Sequence, residues 1–134
     1  MMRSLMIGCA AVLFLSAGGC LYDPDVGVRG FYGVSEWLNV DSSVPLTEES
    51  VRALVLERYP LGTDISIVES DLPAGLDSYN AGRCDVSPDC ELFIVRDSRS
   101  ALPCSRTSFI FVNFTLDDMG QITDVAVFLT GVCL

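Results

Sequence analysis

Histidine and lysine are both absent from the 134 residues, so all eight basic side chains are arginine. The first absence rules out a Ser-His-Asp triad, a Cys-His dyad and any histidine-ligated zinc site. The second rules out Schiff-base chemistry and the phosphate-binding loop that needs its lysine. Positive charge is also scarce. Against 18 acidic residues the net charge is −10, which repels nucleic acid phosphates. No nucleic acid partner, no cofactor and no enzymatic activity are expected.

Apolar residues, in contrast, make up half of the chain, and many gather at its start. Arg3 gives a positive leading region, Leu5 to Leu15 form an apolar run, and Ser16-Ala17-Gly18-Gly19 end it with small residues before Cys20. The run is shorter than the roughly 20 residues that a spanning helix needs, so it reads as an export signal.

Ala17-Gly18-Gly19-Cys20 resembles the lipobox of bacterial lipoproteins. The resemblance implies cleavage before Cys20 and a diacylglyceryl thioether on its sulfur. Ala17 and Gly19 also suit the ordinary signal peptidase, and the cysteine count helps to choose. After loss of Cys9 the exported chain keeps Cys20, Cys84, Cys90, Cys104 and Cys133, an odd set. Lipidating Cys20 leaves four that can pair. By the same resemblance, Leu21 rather than aspartate after the cysteine implies the outer membrane of the bacterial envelope, with the domain facing the periplasm.

Three parts follow: a signal peptide at 1–19, a lipidated and partly packed tether at 20–45, and a domain at 46–134. Removing 1–19 from the 134 residues leaves 115, enough for one modest core. Phe31, Tyr32, Val34, Trp37 and Leu38 are too apolar for a free linker, so part of 31–40 is expected to pack on the domain. Thr47 caps a helix whose first turn carries Glu48 and Glu49. Val51, Leu54, Val55 and Tyr59 form its apolar stripe, and Pro60 stops it.

Residues 63–72 admit two readings. Ile65, Ile67 and Glu69 alternate as in a strand. Alternatively, Thr63 caps a second helix with Ile65, Val68 and Leu72 on one face, which Gly62 and Pro73 at its borders favour. Residues 74–90 read as a connection, Glu91–Val95 as a strand and 96–103 as a polar loop. Thr107–Leu116 and Ile122–Thr130 are two further strands joined by a turn through Asp117-Asp118-Met119-Gly120. The fold class is therefore α+β: two N-terminal helices on a three-stranded antiparallel meander, stapled by disulfides.

This order resembles the fold of the BamE (SmpA/OmlA) small lipoproteins, which the β-lactamase inhibitor protein shares. The residues that carry it are Gly62-Thr63 leading into the second helix, Val68 and Leu72 within it, and Val112 to Ile122 as strand, Asp-x-x-Gly-like turn and strand. It covers roughly 46–130 and implies the fold alone.

Candidate sites are few. Asp85, Ser87, Asp89 and Glu91 alternate as calcium ligands do, but the turn-forming glycine is missing and Pro88 stiffens the loop. An acidic loop closed by a disulfide explains them better. The cysteine spacings lack the short pairs of zinc sites. Carboxylate pairs such as Asp117-Asp118 are expected by chance among 18 acids. Centring the last turn between Asp118 and Met119 sets Cys104 opposite Cys133, within disulfide range, and leaves Cys84 with Cys90.

One surface is harder to dismiss. Phe109, Phe111 and Phe128 have the opposite strand parity to Ile110, Val112, Phe114, Val125, Val127 and Leu129. If the second set faces the helices, the first faces outward, where a sheet covered on one side normally shows polar residues. Either residues 31–40 cover this aromatic face or it binds a partner, which in an anchored protein is another envelope protein. The expected function is thus an interaction module held to the membrane through lipid on Cys20. The alternative is a proteinaceous inhibitor of a periplasmic or secreted hydrolase.

Overall fold

The computed structural model describes residues 27–83, 90–101 and 106–131. The proposed signal, Cys20, Cys84, the acidic loop through Asp85 and Asp89, Cys104 and Cys133 lie outside them.

Among the described residues three helices, not the expected two, precede a sheet of four strands. Helix α1 (Tyr32–Trp37) forms in the stretch expected to pack, and it turns the spacing of Phe31, Val34, Trp37 and Leu38 into a single buried face. It ends at Asn39, whose φ of 55° marks the left-handed turn that asparagine tolerates. Helix α2 (Glu48–Arg58) starts where Thr47 caps it. The Thr47 Oγ1 accepts from the Ser50 N–H at 2.9 Å, and the Ser50 Oγ accepts from the Thr47 N–H at 2.9 Å, a reciprocal capping box. Val51, Val55 and Tyr59 are buried and Leu54 half-buried, as the stripe requires.

Residues 65–71 resolve as helix α3 (Ile65–Asp71). Its cap is Asp64 rather than Thr63: the Asp64 carboxylate takes the Ser66 N–H at 2.9 Å, which holds it below the usual carboxylate range. Thr63 instead sends its hydroxyl back to the Pro60 carbonyl.

The sheet has four antiparallel strands in sequence order, not three. Strand β1 (Asp77–Arg83) lies inside what reads as a connection. All seven of its residues are exposed, so no apolar alternation announces it. Strand β2 (Glu91–Ala101) runs six residues past Val95 through the expected polar loop. The alternation continues there, but the inward position after Phe93 and Val95 is filled by Asp97, an acid buried to 7% exposure. Strands β3 (Arg106–Leu116) and β4 (Ile122–Gly131) fall where the sequence places them.

The β3–β4 register differs from the expected one. A two-residue turn would set Leu129 opposite Ser108, whereas Gly131 stands there. The turn takes five residues because the Asp117 carboxylate collects the Met119 and Gln121 N–H groups, with Gly120 at φ 74°. A bulge between the Thr115 and Leu116 pairings adds one more. The described register is thus shifted by two residues, and Cys104 and Cys133 lie outside the described residues.

The core lies between the helices and one face of the sheet. Phe31, Val34, Trp37, Val51, Val55 and Tyr59 meet Val95, Ile110, Val112, Phe114 and Val125 there. Tyr59 ties the layer together. Its hydroxyl accepts from the Trp37 indole N–H at 3.0 Å and donates to Asp71 at 2.9 Å. Burial, the largest cause, pushes its phenol above the ordinary value.

The outer edge of β4 is closed from the helical layer. Gly62 and Thr63 bond the backbone of Ile122, the Arg52 Nε donates to the Val125 carbonyl at 2.8 Å, and Glu48 accepts from the Leu129 N–H at 3.2 Å. A strand edge treated in this way is a poor template for further pairing.

Candidate docking surface on the outer sheet face

Strand alternation builds this surface. Ile110, Val112, Phe114, Val125, Val127 and Leu129 are buried on the helical side, as expected from their parity. Their neighbours therefore point outward. One rung of the sheet reads Asp77, Arg96, Phe111, Phe128 across the four strands, and the next toward the open end reads Ser98, Phe109, Thr130. A third rung, Tyr79, Ile94, Asn113, Ala126, lies on the other side.

Phe109 and Phe111 stack at 6.0 Å between ring centroids, and the Arg96 guanidinium lies over Phe109 at 5.7 Å. Arg96 also pairs with Asp77 at 2.9 Å. The three phenylalanines that sequence parity selects are thus brought together, with Tyr79 and Ile94 beside them. Phe128 is 48% exposed and Tyr79 44%, whereas Phe109 and Phe111 are half-buried by their own stacking and by Arg96.

Residues 31–40 do not cover this face. They are held on the other side, where Trp37 meets Tyr59 and Phe114. Asp97 explains the choice of side. Its Oδ2 accepts from the Val34 N–H at 2.9 Å, with the Gly33 N–H beside it, and its Oδ1 accepts from the Ser98 N–H at 2.8 Å. A carboxylate from β2 thereby caps the first turn of α1 across 63 residues. Burial raises its pKa more than these three donors lower it. Gly33 permits the approach, since a Cβ there would meet Leu76 at 2.7 Å and the Asp97 carboxylate at 3.1 Å.

Among the described residues, no helix is long and apolar enough to cross a membrane, and no three acidic or cysteine side chains group as metal ligands. Cys90 is disulfide-bonded. Aromatic rings with an arginine among them are the composition that dominates binding energy at protein interfaces. Beside Phe128, a shallow hollow at the rim of β4 is lined by Glu48, Glu49, Arg52 and Asp124 to Val127.

No known protein family, curated protein or solved structure matches the chain.

Proposed function

We propose that this is a lipid-anchored protein of the bacterial envelope that docks another envelope protein through its outer sheet face, without catalysis of its own. The cluster of Phe109, Phe111 and Phe128, which no described segment covers, carries this reading, because residues 31–40 are committed to the core on the other side. The anchor rests on the lipobox-like ending Ala17-Gly18-Gly19-Cys20 and on the odd set of five cysteines, Cys20 included, that the exported chain keeps. Outer-membrane placement rests on Leu21.

Two disulfides complete the proposal. Cys84 and Cys90 adjoin in sequence the paired residues Arg83 and Glu91, which supports a bond between them. With Cys20 lipidated, Cys104 and Cys133 remain for each other. The second reading, inhibition of a periplasmic or secreted hydrolase of the β-lactamase inhibitor protein type, has the acidic loops enter the partner's active site.

The test has two arms. A palmitate analogue labels the wild type but not Cys20→Ser; an unlabelled wild type removes the anchor. Affinity capture from the solubilised envelope retains a partner with the wild type and loses it with Phe109→Ser/Phe128→Ser. Equal retention by that variant overturns the docking face, and stoichiometric inhibition of a captured hydrolase supports the second reading.

A further inference from the structure

We infer that the partner of the aromatic face is a protein embedded in the same membrane, which presents an apolar patch with a basic rim close to the bilayer surface. This rests on the lipid anchor and docking face proposed above.

The place where the chain joins the domain carries the inference. Val28 pairs with Leu46 by two backbone hydrogen bonds of 2.7 and 2.8 Å, and the Arg29 carbonyl accepts from the Arg99 guanidinium. Arg99 stands opposite Ser108, and Ser108 opposite Gly131, so this junction lies at the open end of the sheet. Phe109 is the next residue along β3, and Phe111 with Phe128 follows two residues later. The anchored end and the aromatic cluster therefore share one end of the domain. The acidic turn at Asp117 and Asp118 occupies the other.

Reach then sets the height. Seven peptide steps separate Cys20 from Gly27, and at no more than about 3.6 Å each they span at most roughly 25 Å. Phe111 and Phe128 lie about 10 Å along the strands from the end rung. With two further steps to Arg29 and the length of the Arg99 side chain that joins it to the end rung, the cluster lies within roughly 50 Å of the lipid surface at full stretch of the tether.

The bilayer itself is a poor occupant. The same face carries the solvent-exposed ion pairs of Asp77 with Arg96 and of Asp124 with Arg52, and the chain carries ten net negative charges. Pressing it flat on a lipid surface would desolvate these carboxylates. A protein surface can instead meet the rings with apolar side chains and the two aspartates with basic ones. Membrane residence of both partners adds effective concentration, which a tether this short makes sensitive to its own length.

The experiment places a photoreactive phenylalanine analogue at position 128 of the full-length protein in growing cells. A second strain carries a 20-residue Gly/Ser insert between Val26 and Gly27. The expected adduct is a protein whose crosslinked peptide borders a membrane-spanning segment. Its initial yield falls about eightfold with the insert, as the −3/2 power of tether length requires. A lipid adduct, a dimer of this chain, a partner without membrane-spanning segments or a yield unchanged by the insert each overturns the inference. Palmitate labelling of the same cells separates these outcomes from failure of the anchor, and loss of the adduct in Phe109→Ser separates them from failure of the docking face.

Discussion

Replacing Asp97 by alanine removes the only described contact in which the sheet caps a helix, and its cost can be worked from three hydrogen bonds. The Gly33 and Val34 N–H groups lose their acceptor in a buried first turn, and Ser98 loses a local one. An unpaired buried donor costs about 1–3 kcal/mol, and deletion of a helix cap about 0.5–2 kcal/mol. Relief from burying a carboxylate offsets part of this. The net expectation is a loss of about 2 kcal/mol at neutral pH, with Asp97→Asn losing about half as much because it keeps one acceptor oxygen. For a domain of this size that is a fall in Tm of roughly 8–15 °C for the alanine variant. Calorimetry measures it, and the fluorescence of Trp37, the single tryptophan and the last residue of α1, reports the loosening locally.

The pH dependence has a definite sign. The folded protein holds the Asp97 proton more tightly than the unfolded chain, because burial raises this pKa. The contribution of Asp97 to stability is therefore fully present below the ordinary carboxylate pKa. It declines as pH rises through the raised folded value. The gap between wild type and Asp97→Asn should narrow over that interval. A variant within about 0.5 kcal/mol of wild type, or a gap that widens with pH, would refute the assignment of Asp97 as the clasp of α1.

Three further outcomes are expected. Tyr59→Phe leaves the buried Trp37 indole N–H and Asp71 without their shared hydroxyl and should cost about 1–3 kcal/mol in denaturant titration. Thr47→Ala breaks the capping box of α2 for about 1 kcal/mol, with Thr47→Ser recovering most of it in the same assay. Non-reducing peptide mapping should recover Cys84 linked to Cys90 and Cys104 linked to Cys133; a Cys90–Cys104 peptide would reject that pairing.

What could be read from the residues depended on whether burial and hydrophobicity coincided. They coincide in α2, β3 and β4, where Val51, Val55, Ile110, Val112, Phe114 and Val125 are buried at their expected spacings. They part company in β1, which pairs through its backbone while exposing every side chain, and in the second half of β2, where the inward position is an aspartate. Helix α1 is not legible as a helix; the residues support only the expectation that part of 31–40 packs on the domain. Phe31, Val34, Trp37 and Leu38 recur at helical spacing, yet the six residues Tyr32–Trp37 include a glycine and two β-branched or polar breaks in helix preference. The outward phenylalanines followed from parity alone. Their lack of cover depended on which side α1 would take, and the N–H acceptor that decides this lies 63 residues away.

The long reach of that clasp bears on how the chain acquires its structure. Each strand pairs with the next in sequence, so the meander can assemble hairpin by hairpin from local contacts. Helix α1 has Tyr59 and the Val28–Leu46 pairing nearby, but its clasp and its sheet contacts come from far along the chain. Phe31, Val34 and Trp37, among the most buried side chains of the protein, emerge first during synthesis. They must wait in water until β2 delivers Asp97 and β3 delivers Phe114. The segment next to the proposed lipid therefore completes its docking only once the sheet has formed, and until then part of its apolar face stays open to water.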